Sequence, residues 1–102
     1  MIMRIAPDIE VDAEALAAVC GKYGIAELKI FGSQARGEAR PGSDIDVLYT
    51  LQPGRKLGWE IEQLADELSG LLGHRADLIS ARALHPSLKP AVLAESRLLY
   101  AA

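Results

Sequence analysis

A chain of 102 residues makes one small domain and leaves little material for a separate substrate-binding domain, so residues 1–102 are read as a single unit. Half of the residues are hydrophobic and 25% are charged, as in a soluble globular protein, and the absence of any run of about 18 apolar residues argues against a transmembrane helix. The net charge of −3, with no stripe of Lys and Arg interleaved with aromatics, argues against a long nucleic acid as partner.

The first segment, MIMRIAPDIEVD, lacks the apolar core of a signal peptide, so the expected compartment is the cytoplasm. Residues 1–10 read as an extended lead-in that includes Pro7. From Asp12 to Tyr23, Leu16, Val19, Cys20 and Tyr23 recur at helical spacing; Asp12 suits the N-cap and Gly24 the C-terminal cap. Cys20 is the only cysteine, which excludes an internal disulfide and fits a small buried hydrophobe on the apolar face of that helix. Glu27–Phe31 reads as a short strand that ends at Gly32-Ser33.

The stretch Phe31–Tyr49, FGSQARGEARPGSDIDVLY, organises the chain. Gly32 permits close approach of backbone to a ligand, and Ser33 suits the start of a helical turn over 33–37, whose amides form an anion site. Pro41 and Gly42 mark 38–43 as loop. Ile45–Leu51 is a second strand, with Ile45, Val47, Tyr49 and Leu51 on one face and Asp44, Asp46, Leu48 and Thr50 on the other. Asp44 and Asp46 therefore point the same way, about 6–7 Å apart along the chain. Two carboxylates on one face repel one another, and a bound cation removes that cost. Taken singly, Gly-Ser is a common turn and Asp-x-Asp is often a solvated strand start; the combination is far more specific.

Gln52–Lys56 is a turn, and the clearest helix follows over Leu57–Leu72, with Ile61, Leu64, Ala65, Leu68, Leu71 and Leu72 on one stripe. Glu60, Glu62, Asp66 and Glu67 mark its solvated side, and Trp59 reads as a core anchor or as amphipathic cover for the helix. Gly73 ends the helix. Arg75–Ser80 is a third strand with Asp77 as its only acid, Ser87–Ala94 a short helix, and Arg97–Tyr100 a final strand or tail that docks on the sheet or on another chain. His74 and His85 lack the spacing of a zinc pair and read as surface or capping residues. Strands separated by helices give an α/β class with a small mixed sheet packed with helices.

The block Gly32-Ser33, ten residues, then Asp44-x-Asp46, together with Ala35-Arg36-Gly37 and Ser43, resembles the signature of the nucleotidyltransferase superfamily related to DNA polymerase beta, in its minimal nucleotidyltransferase branch. The resemblance implies a polymerase beta-like palm core. It further implies that Asp44 and Asp46 bridge two Mg²⁺ ions, that Asp77 is the third carboxylate on the acceptor side, and that Gly32 and Ser33 hold the β- and γ-phosphates of ATP. Arg36 pairs with a phosphate or with an acidic partner, or is a plain surface arginine, and Arg40 is an exposed loop cation. Members of that branch act as antitoxins that transfer AMP to a tyrosine of a HEPN-domain ribonuclease toxin, so that toxin is the implied partner. Two alternatives stay open: an antitoxin that neutralises by binding alone, and transfer to a small molecule. Homo-oligomers also remain open.

Overall fold

The computed structural model describes residues 1–6, 9–32 and 44–102. Its elements are β1 (Ile2–Ala6), β2 (Ile9–Asp12), α1 (Ala13–Tyr23), β3 (Ile25–Phe31), β4 (Ile45–Leu51), α2 (Glu60–Leu72), β5 (Ala76–Ser80), α3 (Lys89–Glu95) and β6 (Arg97–Ala101). A four-stranded sheet has the order β5-β4-β3-β6, and β1 and β2 form a separate antiparallel pair. In the larger sheet β4 and β5 are parallel, while β3 is antiparallel to both β4 and β6. This is the mixed α/β sheet the residue pattern predicts. A parallel pair needs a crossover connection, and α2 provides it.

The lead-in is more ordered than the sequence reading has it. Ile2–Ala6 and Ile9–Asp12 form the β1–β2 ladder, with Met3 opposite Val11. Ile9 and Val11 alternate into the main core, which is what holds the pair down. Helix α1 starts where the capping residue demands: Asp12 Oδ1 accepts from the Glu14 amide at 3.0 Å and the Ala15 amide at 3.4 Å. Those two donors hold the Asp12 carboxyl below its ordinary 3.8. Gly24 ends the helix at φ 70°, a left-handed conformation that glycine adopts without strain. Strand β3 begins two residues before the expected Glu27, because Ile25 is also fully buried.

The core lies on one face of the sheet. Leu28 and Ile30 of β3, and Ile45, Val47 and Tyr49 of β4, meet Leu16 and Cys20 of α1 and Leu64, Leu68 and Leu72 of α2. Burial pushes the Cys20 thiol up to about 12, so it acts as a packed hydrophobe and not as a nucleophile. Leu48 points to the opposite face yet is also buried. There a small cavity of about 140 Å³ is bounded by Leu48, Leu84 and Leu93, so α3 shields part of that side. The final RLLY segment docks on β3 as β6, with Leu28 opposite Tyr100.

Two expectations for α2 need correction. The helix begins at Glu60, not at Leu57, and Trp59 is 93% exposed. Trp59 is two residues from Ile61, about 200° around a helix from the apolar stripe, so extending that stripe back to it carries it away from the core. Glu67 is not simply solvated: it accepts from Lys22 Nζ at 3.1 Å and bonds α2 to α1. The Tyr23 hydroxyl, and then Lys22, hold its carboxyl below the ordinary value.

The core and the exposed indole predict opposite outcomes. Leu68→Ala empties a fully buried site and is expected to cost about 2–5 kcal/mol in urea unfolding. Trp59→Ala is expected to change stability by less than about 0.5 kcal/mol, as surface substitutions do.

Candidate active site

The site is assembled by strand register. In the parallel β4–β5 ladder Asp46 pairs with Asp77, and in the antiparallel β3–β4 ladder Phe31 pairs with Asp46. Paired residues on neighbouring strands present the same face, so Asp46 and Asp77 sit side by side on the face opposite the core, on strands about 4.8 Å apart. Asp44 lies one pleat earlier at the entry to β4 and is exposed, as is Asp77; Asp46 is half-buried. Gly32 follows Phe31 and thus stands beside the same carboxylate.

Two contacts fix the register. The Ile45 amide donates to the Arg75 carbonyl at 2.8 Å, and the Ala76 amide donates to Ser69 Oγ at 2.9 Å. Ser69 in turn donates to the Ala65 carbonyl at 2.6 Å, so α2 holds the start of β5 through one side chain. The sequence reading missed Ser69; its only signal was a hydroxyl at i+4 from Ala65 just before the helix-ending glycine.

The electrostatics match this placement. Burial first, then Asp77, then Asp44, raise the Asp46 carboxyl above its ordinary 3.8. Two like charges are thus close enough to oppose its ionisation. Gly32 adopts φ 78°, and a Cβ there would come within 2.7 Å of Asp46 Oδ2. The bare backbone at 32 is what leaves room for the carboxylate.

Beside the acids, a cleft of about 600 Å³ runs between β5 and α2. Asp44, Asp77, Glu62 and Asp66 line it, with Arg75 as the one cation among the described lining residues. Glu62 and Asp66 are exposed, as a solvated helix face requires, and their i, i+4 spacing on the crossover helix also places both on the wall of this cleft.

The carboxylates stop short of a closed ligand set: among the described residues, no three His, Cys, Asp or Glu side chains gather tightly enough to hold an ion. Their chemistry nevertheless fits magnesium. All three offer hard oxygen donors, and the half-buried Asp46 carries a repulsion that a divalent cation relieves. Ser33, Arg36 and Arg40, with the helical turn over 33–37 and the loop over 38–43, lie outside the described residues. His85 caps a turn, its Nδ1 accepting from the Ser87 amide at 3.1 Å, and Tyr23 and Tyr49 pack in the core.

A glycine turn opposite an acidic strand start, with another acid on the adjoining parallel strand, defines the palm of a nucleotidyl-transferring domain. The nucleotidyltransferase domain family matches residues 13–99, and the chain belongs to that family. It is 38% identical over 74 residues to the protein adenylyltransferase MntA of Thermococcus cleftensis, covering 72% of this chain and 74% of that protein. A solved structure provisionally described as a minimal nucleotidyltransferase is 43% identical, with 84% of this chain and 87% of that one covered and a TM-score of 0.70. The MNT antitoxin in complex with the tri-AMPylated HEPN toxin of Shewanella oneidensis shares the fold at 18% identity, with 87% and 69% covered and a TM-score of 0.60.

The raised Asp46 predicts a pH-dependent penalty. A carboxyl raised in the folded state favours folding while it is protonated and loses that contribution as pH rises through the folded value. Asp46→Asn is therefore expected to be more stable than the parent chain near neutral pH, with the difference vanishing below the ordinary value of 3.8. Urea unfolding at several pH values measures it; an Asp46→Asn chain less stable at neutral pH would contradict the crowding.

Proposed function

We propose that this chain is a magnesium-dependent nucleotidyltransferase that moves AMP from ATP to a tyrosine hydroxyl on a HEPN ribonuclease toxin, and so acts as its antitoxin. The observation that carries the reading is the in-register pair Asp46–Asp77 with Gly32 fitted against Asp46. The name of the Thermococcus relative supports a protein as acceptor, and the toxin-bound fold relative supports the partner class.

In this reading residues 1–102 work as one minimal domain. Asp44 and Asp46 would hold two magnesium ions and Asp77 the one on the acceptor side. Bound magnesium supplies charge neutralisation on the triphosphate and acidifies the acceptor hydroxyl. Asp77, exposed at the mouth of the cleft, takes the proton as the tyrosine oxygen attacks the α-phosphorus and pyrophosphate departs on the far side. The Gly32 amide and Ser33 hydroxyl hold the β- and γ-phosphates, and Arg36 is a further phosphate partner. The aligned geometry converts a bimolecular encounter into a step within one complex. The cleft along β5 and α2 leads directly to Asp77, which leaves the acceptor an open approach.

The test uses the purified chain, the HEPN protein encoded next to its gene, magnesium and radiolabelled ATP. Label is expected on a tyrosine of the toxin, and Asp46→Asn and Asp77→Asn are each expected to slow its transfer by about 100-fold or more. Neutralisation that persists undiminished in both variants, with no label transferred, would assign the antitoxin effect to binding alone.

A further inference from the structure

The end of the sheet opposite the carboxylates carries a second cleft of about 520 Å³. Leu51, Pro53 and Leu57 are its apolar lining, Arg55, Lys56 and Arg82 its cations, and no acid is among the described lining residues. Arg55 is held in place: its Nη2 donates to the Lys22 carbonyl at 3.2 Å, at the C-terminal end of α1. Two residues on from Leu57, and not among the lining residues, is Trp59, the only tryptophan of the chain and 93% exposed. A bare indole four residues from Arg55 in sequence has the composition of an interface anchor.

The order of residues supplies the occupant. Arg55-Lys56-Leu57-Gly58-Trp59-Glu60-Ile61-Glu62 places cations and the cleft wall before Gly58, and the indole and acids after it. Among the described residues, Lys56, Arg82 and Glu60 make none of the ion pairs. A surface whose charge changes sign about one point is complementary to its own copy turned through a twofold axis there. A side chain at Gly58 would meet nothing within 4 Å, so the axis would pass through open space.

We propose that this surface is a homodimer interface, with a second copy of this chain as the occupant. Each Trp59 enters the cleft of the other copy, against Leu57 and beneath the guanidinium groups, where a cation–π contact adds to the burial. Lys56 of each copy faces Glu60 of the other. The contact is isologous and closes at two copies. Because α2 begins at this end and finishes beside β5, Asp44, Asp46 and Asp77 lie at the opposite end of the sheet from the contact. The inference stands independently of the proposed reaction.

Trp59 is its own reporter. Sedimentation and intrinsic fluorescence from about 1 μM to about 1 mM are expected to show a dimer forming together with a blue shift of the emission. Trp59→Ala and Gly58→Gln are both expected to fold, by circular dichroism, and to stay monomeric. Lys56→Glu is expected to weaken the dimer by about 10-fold or more, and adding Glu60→Lys to restore it. A chain that is monomeric throughout, or a dimer that Gly58→Gln leaves unchanged and whose indole remains hydrated, overturns the proposal. So does a monomer whose emission shifts only when inorganic polyphosphate is added, which would make the cleft an anion site.

Discussion

One backbone register governs both the core and the site. Strand β4 turns Ile45, Val47 and Tyr49 into the interior while it turns Asp46 outward. Strand β5 must match it residue for residue. A slip of one position would drive Asp77 toward Leu64 and Leu68 and put Ala76 and Leu78 in its place. The burial of an unpaired carboxylate forbids that arrangement. Ile45 bonded to the Arg75 carbonyl, and Ala76 bonded to Ser69, therefore protect the hydrophobic side and the chemical side together. Since the crossover helix itself contributes Ser69, the connection between the strands also sets their alignment.

This arrangement stores a conflict. Asp46 is half-buried and faces two like charges, which is unfavourable for a fold with so small a core. The interior carries that cost because the opposite face of the same strands is packed without a polar interruption. Gly32 contributes by omission, since any side chain there would press on the Asp46 oxygen. Repulsion held in place by a well-packed scaffold is what a site needs if its partner is positively charged.

Periodicity and capping made much of this legible in the sequence. Asp12 and Gly24 bracket α1, the stripe through Ile61, Leu64 and Leu68 gives α2, and alternation in β4 separates Asp46 from the core. The pairing of Asp46 with Asp77 could not come from local pattern, because it depends on which strands become neighbours; family resemblance suggested the third acid, and the register shows it beside the second. The failures have physical causes. The β1–β2 ladder is built from two short strands around Pro7, a residue that conceals a strand signal. Trp59 reads from the sequence as a core anchor or as amphipathic cover, whereas the angle between Trp59 and Ile61 decides its side of the helix. Glu67 was assigned to solvent because Lys22, its partner, is 45 residues away in sequence.

The distribution of charge constrains how a nucleotide would reach the proposed centre. Asp44, Asp46, Asp77, Glu62 and Asp66 gather at one end of the sheet, and Arg55, Lys56 and Arg82 at the other. Among the described residues lining the cleft, only Arg75 opposes the acids. A bare triphosphate approaching that end meets repulsion over a Debye length of roughly 8 Å. A triphosphate neutralised by two divalent cations would escape that repulsion, and its cations would be drawn to the carboxylates. On the proposed reading the same acids that oppose the ionisation of Asp46 would select the charge state of the substrate, and the cation and the nucleotide would enter as one complex.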